Sequence, residues 1–364
     1  MLDLLLDMDN HSLNEREELI LRAVVHLYIV TAEPVGSRAV VKRFGLDISP
    51  ATVRNVMADL EELEYLQQLH ASSGRVPTDK GYRYYVDFLM NVQEITRAER
   101  NRIELELSEQ LNDADQIMRQ ASHLLALMTH QTGIVEAPHP HRAEVRCIEL
   151  MPLGNKRAAL LLADNYGRVQ TAVASLPEHF GAEDAESLSR FLNEMLLGTP
   201  LDKLDTTLRA KLKEYIADQH RLAERALELL HAVQIAPSEK LFLEGASQLF
   251  EQPEFKDATK AKEVFGLLEE RDRVMELLRA GITTRGHPRS RVVIGSEAAE
   301  HGTENISVVS APYSIGDETV GMLGVLGPRR MPYSQLTTVV EQTADMLGRI
   351  LTRLFGQGPQ DVSK

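Results

Sequence analysis

Residues 49–63 read SPATVRNVMADLEEL and carry the most informative helical pattern in the chain. Ser49 can cap a helix, and Pro50 fits its first position, where the N–H that proline lacks would be unpaired anyway. Apolar residues at helical spacing predict one buried face, formed by Val53, Val56, Met57, Leu60 and Leu63. The opposite face of the first turns then carries Ala51, Arg54 and Asn55.

Other short elements surround this predicted helix. Apolar spacing and turn residues predict two helices before it and two strands after it: helices over 13–30 and 37–44, strands over 66–69 and 76–77. Thr78 is expected to cap the next helix. Three helices followed by a hairpin are typical of a winged helix-turn-helix, whose third helix enters the major groove of DNA. We therefore predict a winged-helix DNA-binding domain over residues 1–90.

Several side chains of this predicted domain suit DNA. Arg54 and Asn55 are positioned for base edges, because arginine pairs well with guanine and asparagine with adenine. Arg75, expected at the tip of the hairpin, is placed to enter the minor groove. The candidates for phosphate contact are Ser37, Arg38, Lys42 and Thr52, and Ala51 shares the face of Arg54 and Asn55.

The overall charge limits the kind of nucleic-acid binding. The 364 residues hold 40 Lys and Arg against 54 Asp and Glu, which gives a net charge of −14. Residues 1–85 hold 9 Lys and Arg against 13 Asp and Glu, so this segment is not basic either. The balance argues against a protein that coats polyanions non-specifically, and it leaves room for a local basic patch.

The rest of the chain predicts an α+β body. A seam of apolar residues predicts one long helix over 97–129, and a second seam runs from Leu208 to Val233 with Gln219 inside it. We expect two groups of strands and a final helix: strands over 144–151, 158–164 and 169–174, strands over 291–295, 306–312 and 319–326, and a helix over 335–355.

Catalysis, a cofactor, a metal site and a membrane span all lack support. His139, His141 and Cys147 are close in sequence, but no fourth ligand is evident, so a surface loop is the better interpretation. The glycines between 321 and 327 lack the Lys and Ser or Thr of a phosphate loop. The longest purely apolar stretch, 158–163, is too short to cross a bilayer. A single cysteine fits a reducing compartment, so we expect a cytoplasmic location. Since no catalytic arrangement is evident, we also expect that the protein is not an enzyme.

Three N-terminal motifs resemble the HrcA family of heat-inducible transcription repressors. They are YIVTAEPVGSR at 28–38, the segment at 49–63 and GRVPTDKGYRYY at 74–85. Later segments at 241–250, 252–255 and 324–328 extend the resemblance over nearly the whole chain. Three positions depart from the family pattern: Glu64 stands where glycine is usual, and Arg329 and Pro332 replace the usual Thr and Asp.

The resemblance implies an architecture and a function. A winged helix would be followed by a GAF-like α+β domain over 91–180 and 240–364, interrupted by an inserted dimerisation domain over 181–239. A homodimer would repress chaperone genes by binding an inverted-repeat operator in double-stranded DNA, and the GroEL chaperonin would maintain the active repressor.

Two other functions stay open from the sequence. One keeps DNA binding but makes the GAF-like domain a sensor of a small molecule, because a fold does not fix its function. The other is an adaptor whose winged helix contacts protein instead of DNA.

Overall fold

The structure is a computed structural model. It describes residues 13–70, 73–90, 95–108, 114–138, 143–154, 156–175, 181–214, 240–284, 287–301 and 304–355. His139, His141 and most of the expected seam between Leu208 and Val233 lie outside these residues. Among the helices in the described ranges, none has the length and apolar character needed to cross a bilayer.

Residues 13–90 form an N-terminal unit of helices with a two-stranded antiparallel sheet. Its elements are α1 (Glu15–Thr31), α2 (Ser37–Phe44), α3 (Pro50–Glu62), β1 (Leu66–Gln68), β2 (Arg75–Pro77) and α4 (Asp79–Tyr84), which a π-helical turn (Tyr85–Leu89) continues. The predicted helices, strands and caps are confirmed. The Ser49 hydroxyl accepts from the Thr52 N–H, and the Thr78 hydroxyl accepts from the Gly81 N–H, both at 3.1 Å.

A six-stranded antiparallel sheet forms the centre of the body. Its strands, in spatial order, are β7 (Leu241–Glu244), β3 (Thr132–Glu136), β11 (Glu318–Pro328), β10 (Ile306–Ile315), β9 (His287–Ile294) and β8 (Ile282–Thr284). The body helices are α5 (Arg97–Ser108), α6 (Ala114–Thr129), α9 (Ala246–Phe250), α10 (Ala258–Glu269), α11 (Arg271–Arg279) and α12 (Tyr333–Phe355).

Helices cover both faces of this sheet, since neighbouring residues of one strand belong to different apolar clusters. Val309 and Leu323 pack in the cluster that contains α6 and α12. Val308 and Met322 pack in a second cluster with α10 and α11. Alternation of side chains along a strand explains the two clusters. The body is therefore a layered α+β structure, as expected.

The single helix predicted over 97–129 is wrong, because the chain doubles back between α5 and α6. The Gln120 side-chain amide donates to the Glu106 carboxylate at 3.1 Å. In one continuous helix, fourteen residues would separate these positions by about 21 Å along the axis. The apolar spacing continues across both helices, so the pattern alone does not reveal the reversal.

A separate three-stranded sheet lies between β3 and β7 in the chain. Its strands are β4 (Val145–Gly154), β5 (Arg157–Asp164) and β6 (Val169–Ser175), and in the described residues they pair only with one another. Helix α7 (Ala182–Leu196) packs on β4, where Asn193 and Ser189 accept from the N–H groups of Ile148 and Leu150 at 2.9 Å. A short helix, α8 (Leu204–Glu214), follows. Helix α7, which begins just after the boundary expected at residue 181, thus contacts a sheet that precedes it in the chain.

Candidate nucleic-acid interface

Helix α3 has the two faces that its sequence predicts. Val53, Val56, Met57 and Leu60 are buried against the N-terminal unit. Ala51, Arg54 and Asn55 are exposed to solvent on the other side. The buried face fixes the rotation of the helix about its axis, so an arginine and an amide side chain project from its first two turns.

Four candidate side chains are available for an external ligand. Arg38, Lys42, Arg54 and Asn55 are exposed, and none of them makes a side-chain hydrogen bond or ion pair with another described residue. An exposed cation without an internal partner keeps its charge free for phosphate or base contacts. Sequence reasoning missed Arg43, which is also exposed and follows Lys42 in the last turn of α2. The two adjacent basic residues, Lys42 and Arg43, were the sequence signal that could have identified it.

Ser37 and Thr52 are less accessible than expected. Ser37 is buried, with 8% exposure, at the first position of α2, and its candidacy for phosphate contact stays a prediction. Thr52 is half-buried, and its hydroxyl lies 3.0 Å from that of Ser49 in the helix cap. Thr52 therefore belongs to the cap of α3.

Arg75 does not lie at the tip of the hairpin, and that expectation is wrong. It is the first residue of β2, and its Nη2 atom lies 2.8 Å from Oε2 of Glu61. Only 15% of the arginine side chain is exposed. The guanidinium therefore joins the hairpin to the last turn of α3.

The hairpin is also attached to the segment before α2. Val35 and Arg75 exchange two backbone hydrogen bonds of 2.9 Å each. Gly74 lies so close to this bridge that an added Cβ would stand 2.5 Å from the carbonyl carbon and oxygen of Val35. Glycine is needed here because no real Cβ makes such a contact. The hairpin thus has a fixed position beside α2 and α3.

Charge is distributed unevenly along α3. Arg54 and Asn55 lie in its first half, whereas Asp59 and Glu62 are exposed near its end. A polyanion would be attracted to the first half and repelled by the second. This polarity favours an approach in which the start of α3 points toward the nucleic acid.

The described residues contain no group of three His, Cys, Asp or Glu side chains that would hold a metal ion. Cys147 is a free, half-buried thiol in β4. The features that the described ranges bring together are therefore those of a binding surface on α2 and α3.

Comparison with known proteins decides the family. The model of the "HrcA protein C terminal domain" matches residues 115–337. The heat-inducible transcription repressor HrcA of Geobacter sulfurreducens is 40% identical over 339 residues, which cover 93% of this chain and 98% of that protein. The repressor of the same name from Pelotomaculum thermopropionicum is 36% identical over 347 residues, 94% of this chain and 98% of that one. This chain belongs to the HrcA family. It is a negative regulator of heat-shock transcription.

A solved structure supports the fold of this HrcA-family chain. A crystal structure of a hypothetical protein at 2.2 Å resolution matches with a TM-score of 0.63 and 23% identity. The match covers 94% of this chain and all of the other one.

One residue at the end of this surface has an unusual backbone conformation. Glu64 adopts a φ of +63°. This left-handed region favours glycine, because a Cβ there crowds the following carbonyl oxygen. The carbonyl of Glu64 accepts from the Thr78 hydroxyl at 2.6 Å, which links this turn to the cap of α4.

Proposed function

We propose that this protein represses heat-shock genes as a homodimer whose two winged helices bind an inverted-repeat operator in double-stranded DNA. The observation that carries the proposal is the exposed face of α3, where Arg54 and Asn55 have no internal partner among the described residues. Three helices, a hairpin of β1 and β2 and its bridge to Val35 support a winged helix.

In the proposed complex, the first two turns of α3 lie in the major groove. Arg54 and Asn55 contact base edges, and Ala51 borders them on the same face. Arg38, Lys42 and the newly recognised Arg43 contact phosphates from α2, where they are exposed. Arg75 acts indirectly in this arrangement, since its guanidinium is paired with Glu61.

The outer face of the three-stranded sheet supports a dimer. Met151 lies opposite Ala159, and Ala159 lies opposite Val173, so these residues share one face. The opposite face carries Leu150, Leu160 and Leu162, which are buried. Met151, Val169 and Val173 are 52%, 60% and 56% exposed, and such exposure is unusual for three apolar side chains on one face of a sheet.

We place the dimer contact on this face, with an inserted domain that begins near residue 143 rather than 181. Val173→Glu should convert the dimer into a monomer, because it adds a charge to a surface that loses water on association. Sedimentation velocity measures the result. Phe265→Glu, which alters another exposed apolar side chain on α10, is the matched control and should leave the dimer intact.

Operator binding is tested by footprinting on DNA upstream of the chaperone operons of the source organism. The full chain should protect two symmetric half-sites in the presence of excess competitor DNA. Absence of protection would favour the adaptor alternative. Asn55→Ala should retain the fold and lose base discrimination, so unchanged discrimination would overturn the placement of α3.

The GroEL dependence, the cytoplasmic location and the GAF-like assignment are also proposals. Family membership supports the first two, and the layered body with a six-stranded antiparallel sheet supports the third. Purified protein should lose operator binding on mild heating and regain it with GroEL and ATP. Equal recovery without the chaperonin would contradict the dependence.

A further inference from the structure

Three arginines connect the N-terminal unit to the body. Arg83 of α4 reaches into the body, where its Nη2 atom donates to the carbonyl oxygen of Val292 at 2.7 Å. Its Nε atom donates to the carboxylate of Glu297 at 2.8 Å. The side chain of Arg83 is 8% exposed. This contact anchors α4 to β9 and to the turn that follows it.

The other two arginines come from the body and belong to a docking loop, residues 329–332. Arg329 Nη1 lies 2.8 Å from Oδ1 of Asp79, the first residue of α4. The second carboxylate oxygen of Asp79 accepts from the Ser296 N–H at 2.8 Å. Gly295 has a φ of +48°, and a side chain there would clash with this carboxylate. The body is therefore shaped to receive Asp79.

Arg330 contacts a second helix of the unit. Its Nη1 atom donates to the carbonyl oxygen of Ile29 at 2.6 Å. Ile29 lies in the last turn of α1, where carbonyl groups have no partner inside the helix. Glu254 accepts from Arg330 Nε at 2.7 Å and so fixes the guanidinium. The docking loop thus contacts the end of α1 and the start of α4 with consecutive residues.

The centre of this junction is closed to water. The rings of Tyr82 and Tyr333 lie 6.0 Å apart, and the two residues are 2% and 0% exposed. The charged hydrogen bonds that Arg83, Arg329 and Arg330 make surround the two rings. Such bonds are directional, so they define an angle between the two parts as well as holding them together.

We propose that the docking loop sets the angle of the DNA-binding unit relative to the dimerising body, with Arg329 and Arg330 as positioning residues. This inference rests on the proposed function, because the angle matters only when two units must reach two half-sites at once. Neither arginine contacts DNA in this role.

The proposal has a specific consequence for DNA binding. A dimer with correctly placed units gains about 10²- to 10⁴-fold in affinity from the second half-site, and misplaced units lose part of that gain. A unit released from the docking loop still presents an intact α3. Affinity for one half-site should therefore stay constant while affinity for the whole operator falls.

The test compares Arg329→Gln, Asp79→Asn and the double variant in the full chain, by gel shift on three DNAs. Each single variant should bind the intact operator at least ten-fold more weakly than the unsubstituted chain and a single half-site within two-fold of it. Each should also discriminate less against an operator with five base pairs inserted between the half-sites. The double variant should bind the operator no more weakly than the weaker-binding single variant, since both substitutions remove the same contact between Arg329 and Asp79.

Two further variants separate positioning from general damage. Arg329→Lys keeps the charge beside Asp79 and should recover part of the operator affinity. Arg190→Gln removes an exposed ion pair with Glu186 on α7 and should change nothing. Small-angle scattering of the free Arg329→Gln and Arg330→Gln chains should report a larger radius of gyration, which gives a readout without DNA.

The outcomes are distinguishable. If the unsubstituted chain does not prefer an inverted repeat, the proposed function fails before the docking loop is tested on DNA. If it does prefer one, the positioning role is overturned when Arg329→Gln keeps full discrimination against the inserted operator and the scattering of Arg329→Gln and Arg330→Gln is unchanged.

Discussion

Arg75 Nη2 and Glu61 Oε2 lie 2.8 Å apart, so β2 and the last turn of α3 are joined by an ion pair. Arg75 Nε donates to the same oxygen at 2.9 Å, and the second oxygen of Glu61 accepts from the Gln68 N–H at 3.1 Å. The Glu61 carboxylate thus contacts both strands of the hairpin. The pair also neutralises one of the negative charges near the end of α3.

Loss of this pair should affect stability more than base reading. Arg75→Ala is expected to lower the free energy of unfolding by about 1 kcal/mol, because partial exposure screens the pair. Arg54→Ala removes an exposed side chain and should leave stability within about 0.5 kcal/mol of the original. It should nevertheless cost about 1–3 kcal/mol in operator affinity. Urea unfolding and gel shifts measure the two effects, and equal stability of both variants would contradict the structural role of Arg75.

Lys42 should act on any DNA sequence. Lys42→Ala removes one proposed phosphate contact, so the slope of log affinity against log salt should become shallower by about 0.9. Specific and random DNA should lose affinity alike. Lys260 is an exposed lysine on α10 of the body, so Lys260→Ala is the control for the change in net charge. A slope equal to that of the control would remove Lys42 from the interface.

The strained turn at Glu64 predicts a stabilising substitution. Glu64→Gly should raise the free energy of unfolding by about 1 kcal/mol, because glycine relieves the left-handed strain at a φ of +63°. Glu62→Gly should have the opposite sign and cost about 1 kcal/mol, since Glu62 ends α3 in helical conformation. Urea unfolding of the two variants compares them directly. A destabilised Glu64→Gly chain would show that the turn needs the glutamate side chain.

Two buried tyrosines should respond differently to loss of the hydroxyl. Burial raises the pKa of the Tyr82 hydroxyl well above its ordinary value, so the group stays protonated, and it has no hydrogen-bond partner among the described residues. Tyr82→Phe should therefore be neutral or stabilising. Tyr313 donates to the Glu136 carbonyl at 2.6 Å, so Tyr313→Phe should cost about 1–3 kcal/mol. Thermal unfolding tests the pair, and a larger loss at Tyr82 would contradict this assignment.

The N-terminal unit was predictable because its signals are local. Ser49 and Thr78 each cap a helix through a residue three positions away, and the apolar face of α3 repeats over short distances. The exposure of Arg54 and Asn55 follows from the position of that apolar face. Arg75 was misplaced because its position depends on Glu61, fourteen residues earlier, and no periodic pattern encodes that pairing.

Contacts between distant segments were beyond the reach of sequence patterns. Arg330 and Ile29 are 301 residues apart, and Arg83 and Glu297 are 214 apart. Strand β3 was also missed, because all five of its residues are buried and such a short run has no alternation to detect.

The contact between Asp79 and Arg329 spans 250 residues, which has a consequence for synthesis. At about 5–20 residues per second, a ribosome needs about 12–50 s to add the residues between them. The N-terminal unit, which we propose to bind DNA, therefore leaves the ribosome well before the loop that contacts it. Under this proposal, every new chain passes through a period with its binding surface complete and its orientation unset, and chain elongation ends that period.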